Sequence, residues 1–264
     1  MNLAEQPTMS AEAYHALPGV SNSKLSTLID EGPREYWYQY LSGQYVAKKK
    51  DYFDFGTVVH DLALCNSLDL VKLIPASALN ADGHKKGGAW KAFAEEHVEK
   101  IMLKSAEYDA LLRCVDSIQQ HPMASRLLGT EGVVEQTYQH VDDELGLTLR
   151  CRPDKLIVLN GSQVVLDLKT SETGTRPDKF VRSVANYGYH RQEYTYRRVL
   201  RDCGIDVASF IFIAVGKDPP YTVDCHSLSP EFLKLAETQV ENGFLELAER
   251  MRENDWEPRS NNSI

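Results

Sequence analysis

Asp154 and Asp167 stand on the two arms of a β-hairpin marked by Asn160-Gly161 between the apolar runs LIVL and QVVL. An Asn-Gly pair supplies the two positive-φ residues of a type I′ turn and is the strongest short-range hairpin signal. With those residues as the turn, Asp154 falls opposite Asp167 in a non-hydrogen-bonded pair, whose Cα atoms lie roughly 4.5 Å apart. Lys169 lies two residues further on and emerges on the same face as Asp167. Two carboxylates ~5 Å apart repel by about 3 kcal/mol at an effective dielectric of about 20. A neighbouring ammonium offsets part of that repulsion, and a divalent cation offsets more. Carboxylate oxygens suit Mg²⁺ or Mn²⁺ rather than zinc. The pattern therefore points to a metal site with a lysine beside it. The alternative is a surface Asp–Lys–Asp salt-bridge cluster, and a one-residue slip in register would separate the pair.

The elements that must hold this hairpin divide at about residue 128. Upstream the texture is helical: KLSTLI after a capping Ser21 or Ser23, REYWYQYL after Gly32-Pro33, a helix around Phe53 to Cys65, then helical periodicity through most of Trp90 to Leu128. Downstream, VVEQTYQHV alternates like a strand, DDELG is a turn, and LTLRCRPDKLIVL and QVVLDLKT are β-rich. A helical stretch from Asp178 to Asp202, a buried strand ASFIFIAV, a short strand YTVDC and a helix from Pro230 to about Arg252 complete the pattern. This order predicts one α/β (α+β) domain over 1–264 with a mixed central sheet. Residues 1–128 form its helical region, and residues 129–264 form a core of sheet and helices.

Composition narrows the class. A chain of 264 residues with 42% hydrophobic and 25% charged residues is ordinary globular material that needs no covalent staple. No apolar run approaches the ~20 residues of a membrane span, and the first residues lack the apolar core of a secretory signal. A soluble, cytoplasmic protein is expected. The five cysteines include no C-x-x-C pair, which argues against zinc ribbons and iron–sulfur knuckles and for free thiols. The net charge of −9 points, by itself, away from nucleic acid.

Pro153-Asp154 followed by Asp167-Leu168-Lys169 resembles the signature of the PD-(D/E)XK nuclease superfamily. An Asp-x-Lys alone is common by chance, so the remaining motifs carry weight. His60 in FDFGTVVHDLAL and Gln192 with Tyr196 match the upstream helical histidine and the later Q-x-x-x-Y of the RecB-like branch, in the same order. The segments YHALPGVSNSKLSTLIDEGPREYWYQY and FGTVVHDLAL resemble nuclease domains of the exonuclease VIII (RecE) type, and the likeness runs over nearly the whole chain. The resemblance implies a restriction-endonuclease-like core and a Mg²⁺-dependent exodeoxyribonuclease, with Mn²⁺ as a substitute. It further implies digestion of linear double-stranded DNA from the end, 5′→3′ with release of mononucleotides, in homologous recombination beside a single-strand annealing protein.

The resemblance also implies roles. Asp154, Asp167, the Leu168 backbone carbonyl and His60 would hold the metal, and Glu135 would be an extra carboxylate near it. Lys169 would orient and help deprotonate water or stabilise charge on the phosphate, as an arginine could not do as a base. Gln192 and Tyr196, one turn apart on a helix, would position phosphate. Without the resemblance, His60 is an ordinary helical core histidine, although Gly56 one turn before it thins that face. Ser21 and Ser23 are helix caps whose helix terminus could also receive a terminal DNA phosphate. Lys48, Lys49, Lys50, Lys85, Lys86, Arg176, Lys179 and Arg182 are either solvated faces or backbone-tracking residues. Tyr36, Trp37, Tyr38 and Tyr40 read as core packing before a stack on a frayed end.

Two rivals remain: a structure- or sequence-selective endonuclease on the same core, and a nuclease-dead DNA-binding module. The acidic charge can be reconciled with duplex DNA by a closed ring that gathers the basic residues inward. A homo-oligomeric ring is expected, with a tetramer favoured by resemblance.

Overall fold

The computed structural model describes Met9, residues 11–46 and residues 55–258. Lys48, Lys49 and Lys50 lie outside the described residues. The helical region begins with α1 (Ala11–Ala16), α2 (Asn22–Asp30), α3 (Pro33–Tyr40) and α4 (Phe55–Cys65). It continues with β1 (Val71–Leu73), α5 (Gly88–Glu96), β2 (Ile101–Leu103), α6 (Ser105–Gln120) and α7 (Pro122–Gly129). Next come β3 (Gly132–Val134), β4 (Tyr138–Asp142), β5 (Leu147–Cys151), β6 (Lys155–Leu159) and β7 (Ser162–Ser171). The chain then forms α8 (Pro177–Tyr187), α9 (Tyr189–Asp202), β8 (Val207–Gly216), β9 (Val223–His226) and α10 (Pro230–Glu253).

The central sheet has the order β3-β6-β7-β8-β9, with β7 and β8 parallel and the other neighbours antiparallel. It is the mixed sheet expected. Alternation along β7 splits its side chains between two cores. Val164, Leu166 and Leu168 pack with Val58 and Val59 of α4 and with Leu111, Val115 and Ile118 of α6. Val165 faces the other way, toward Val199 and Leu200 of α9 and Val240 and Phe244 of α10. Helices therefore cover both faces, and Asp167 and Lys169 belong by parity to the α9 side.

Several expected segments are divided more finely than their periodicity predicts. The stretch from Trp90 to Leu128 is three helices, broken by β2, which pairs in parallel with β1, and by Pro122, whose missing N–H starts a new helix at a first-turn position. The segment VVEQTYQHV is two strands in different sheets, because Glu135 turns the backbone to a positive φ of 50° between them. The run LTLRCRPDKLIVL likewise splits into β5, which pairs with β4, and β6, which pairs with β7. A left-handed Gly188 separates α8 from α9.

Strand β3 approaches β6 at Gly132, where a Cβ would lie 2.4 Å from the Leu156 carbonyl oxygen and 2.7 Å from Ile157 Cγ2. Only a hydrogen fits there. Gly132→Ala should cost about 1–3 kcal/mol through overpacking. Gly129→Ala, where a Cβ meets nothing within 4 Å, should cost far less. Urea unfolding of both variants checks this; equal midpoints would mean that β3 is not pinned to β6.

Candidate metal centre and active site

The hairpin has the register expected from its turn. Asn160 and Gly161 adopt positive φ of 51° and 80°, and the ladder runs from Leu159 opposite Ser162 to Lys155 opposite Leu166. Strand β7 then continues to Ser171 beside β8 alone, because β6 has not yet begun at Asp154. Along this unpartnered stretch the main chain of Leu168 must find other partners. Its N–H donates to Asp154 Oδ2 at 2.7 Å, and its carbonyl lies 2.7 Å from His60 Nε2. Pro153 has no N–H to offer that carbonyl, so the ladder cannot close one step further. A side chain thus takes over where a strand would have been.

Helices from both faces of the sheet meet at this gap. His60, on α4, brings Nε2 to 3.2 Å from Asp154 Oδ2 as well as to the Leu168 carbonyl. Gln192, on α9, donates from Nε2 to Asp167 Oδ2. Lys169 Nζ forms an ion pair with Asp167 Oδ1 and stands 4.8 Å from the centre of the Tyr189 ring. Asp167 is completely buried, and both of its oxygens are met, Oδ2 by the Gln192 amide and Oδ1 by the Lys169 ammonium. Glu135 N–H donates to the Asp154 carbonyl at 3.0 Å, so β3 also anchors the aspartate.

The electrostatics follow from this crowding. Burial, and then the Asp167 charge, push the Asp154 carboxyl up to about 6, against the pull of His60, Lys169 and the Leu168 N–H. Burial works to lower the Lys169 ammonium, but Asp167 and Asp154 more than offset it and leave it raised. The lysine is therefore held as a cation between two carboxylates. A divalent cation fits the same donor set. Asp154 Oδ2, the Leu168 carbonyl and His60 Nε2 already converge, and the buried Asp167 carboxylate beside them is paired with Lys169. Among the described residues no group of three or more His, Cys, Asp or Glu side chains is placed to hold a metal ion, so a cation here would also need the Leu168 carbonyl.

The centre opens into a cleft of about 620 Å³ whose lining includes His60, Asp154, Leu168, Lys169, Glu135 and Arg152. Glu135 is not in a strand as expected: it sits one residue past β3 and its carboxylate is paired with Arg152. Tyr196 does not line the cleft. Its ring packs in the core, 6.2 Å from that of Phe210, and burial holds its hydroxyl well above the usual phenol range, helped by Asp167. Ser21 caps α2 through the Lys24 N–H and lies 2.9 Å from the Ser23 hydroxyl, outside the cleft lining.

None of the described residues expected to track the DNA backbone, Lys85, Lys86, Arg176, Lys179 and Arg182, lines the cleft. Lys85 donates to the Met102 carbonyl at 3.0 Å and lies 3.8 Å from Glu107, a local role. Arg176 pairs with Asp178, while Lys86, Lys179 and Arg182 are exposed. Of the aromatic cluster, Tyr36 is buried and stacks on Trp256, and Trp37 and Tyr40 pack against the core, whereas Tyr38 remains exposed. Among the cleft residues that sequence analysis missed are Arg152 and Tyr189, with Tyr14 and Asp61. Arg152 immediately precedes Pro153-Asp154, which was the available signal; Tyr189 follows the glycine that separates α8 from α9.

No curated protein matches the chain. Among solved structures it is similar to one from Eubacterium rectale whose name carries a provisional exonuclease assignment, at 16% identity and a TM-score of 0.62. That alignment covers 97% of this chain and 91% of the other, and establishes the shared fold. SSO0001 aligns at 13% identity over 70% of this chain and 85% of that one with a TM-score of 0.30, too remote to carry an argument. Residues 23–263 match the PDDEXK-like domain of unknown function DUF3799, and the chain belongs to this PDDEXK-like family.

Proposed function

We propose that the protein is a divalent-metal-dependent deoxyribonuclease that hydrolyses phosphodiester bonds of double-stranded DNA. The observation that carries this is the convergence of Asp154, the Leu168 carbonyl and His60 beside a fully buried Asp167 that is paired with Lys169. A scaffold gains nothing from burying two repelling carboxylates. When bound, Mg²⁺ supplies charge neutralisation at a phosphoryl oxygen and a lowered water pKa.

The chain's own residues do the rest. Asp154 and Asp167 hold the cation, and the Leu168 N–H keeps Asp154 aimed. Gln192 fixes the second Asp167 oxygen and so orients the first. Lys169, raised by its carboxylate neighbours, is poised to hold an attacking water or to stabilise charge developing on the phosphate. The finer reading extends the resemblance: an exonuclease on linear duplexes, 5′→3′, releasing mononucleotides, in recombination with a single-strand annealing partner. A cyclic homo-oligomer, tetramer before trimer, would reconcile the charge of −9 with DNA. Light scattering tests the ring, and a monomeric mass would exclude it.

Digestion in Mg²⁺ of the same plasmid as a linear and as a covalently closed duplex separates the main rivals. Degradation of the linear form with the circle intact is the expected result; nicking or linearisation of the circle would make the protein an endonuclease. Duplexes labelled at the 5′ or 3′ end then report polarity through the order of label release.

Asp154→Ala, Asp167→Ala and Lys169→Ala should each lower the cleavage rate by at least about 10²-fold, the scale of a lost acid–base or charge-stabilising group. The two aspartate variants should also weaken Mg²⁺ binding in titration calorimetry, whereas Lys169→Ala should not. Near-normal turnover in any of the three would sink this mechanism.

A further inference from the structure

In the same cleft as the metal cradle, the Arg152 guanidinium is paired with the Glu135 carboxylate, and both line the cleft. Their exposures are unequal: the arginine side chain is 10% accessible and the glutamate 38%. The guanidinium also stands over the ring of Tyr14, another cleft residue, 5.6 Å from its centre. The glutamate is held by its main chain, in a left-handed conformation that residues other than glycine rarely adopt. Strained backbone of this kind collects at functional sites. The arrangement is a fixed cation inside the cleft wall, covered on its open side by an anion that solvent can reach.

A salt bridge open to solvent on one side contributes little to stability. A guanidinium, however, is shaped to receive two oxygens of a phosphate in a forked contact stronger than most neutral hydrogen bonds. Resting on the nuclease reading above, we propose that Arg152 is a phosphate receptor for the nucleic-acid strand and that Glu135 is its placeholder, displaced when a phosphate enters. The carboxylate keeps the buried guanidinium paired while the cleft is empty. On displacement it is left facing water, which limits the cost of the exchange. Two phosphates have the required chemistry: an internal phosphodiester next to the scissile one, and the terminal phosphomonoester of a DNA end.

The two residues should then have opposite signs in binding, which a merely structural ion pair would not give. Binding of a short fluorescent duplex is measured in EDTA, so that any role of Glu135 toward metal drops out. Arg152→Ala should weaken binding roughly tenfold and make its salt dependence shallower by about one unit. Glu135→Gln should tighten binding by about threefold, because the amide competes less well for the guanidinium than a carboxylate. The double variant should match Arg152→Ala alone, since Glu135 acts through Arg152. Arg152→Lys, which keeps the charge and loses the fork, should fall between and guards against misfolding of the alanine variant. Weaker or unchanged binding in Glu135→Gln, or additive effects in the double variant, would overturn the proposal.

Three substrates separate the phosphate sources. An Arg152→Ala defect present only on 5′-phosphorylated ends, and absent on 5′-hydroxyl ends and closed circles, assigns the terminal phosphate. A defect equal on all three assigns an internal phosphodiester. Binding with the expected signs but no cleavage in Mg²⁺ would overturn the nuclease reading while supporting the receptor. Cleavage with the wrong signs would do the reverse.

Discussion

Two aspartates of like charge are forced together where β6 has not begun and β7 runs on alone, and the surrounding structure answers that repulsion. Each carboxylate is met from more than one direction. The Leu168 N–H and His60 meet Asp154, while Gln192 and Lys169 meet Asp167. Both oxygens of the fully buried Asp167 are met, Oδ2 by Gln192 and Oδ1 by the Lys169 ammonium, so the interior answers this carboxylate in full. Burial, and then the neighbouring Asp167 charge, raise the Asp154 carboxyl to about 6.

The fold can be understood as the means of bringing those partners to one point. A two-layer arrangement would supply helices on one face of the sheet only. Here α4 approaches from the face packed by Leu166 and Leu168, and α9 from the face packed by Val165. Their polar residues meet at the gap in the sheet, because only there does nothing apolar intervene. The edge strand β3 closes the third side, pinned at Gly132 and bonded through Glu135 to the Asp154 carbonyl. The remaining side is the open cleft, walled by Arg152 and Glu135. A strand that stops early, with a proline before it, is thus as integral to the site as the carboxylates themselves.

Legibility differs by the range over which each interaction acts. The hairpin was visible because its causes are local: Asn160-Gly161 fixes the turn, the turn fixes the register, and the register places Asp154 beside Asp167. The helices capped by Ser21 and started at Pro33, and the buried strand β8, were visible for the same reason. The divisions inside VVEQTYQHV and LTLRCRPDKLIVL were not, since an apolar–polar alternation has the same period whichever sheet receives it. Tyr196 shares a helix face with Gln192 by spacing, yet only Gln192 reaches a carboxylate while the phenol is absorbed by the core around Phe210.

Turn geometry and strand alternation act within a few residues, so the residue order alone sets out two acids and a lysine on one hairpin face. How that chemistry is completed depends on segments far apart in the chain. His60 meets a carbonyl 108 residues away, Gln192 arrives from a helix packed on the opposite face, and Arg152 turns to Glu135 rather than to solvent. Those placements come from how two apolar cores seat α4 and α9 against the sheet, and from where β6 begins. Packing of this kind sums many small contacts between distant segments, so no local pattern of residues carries it.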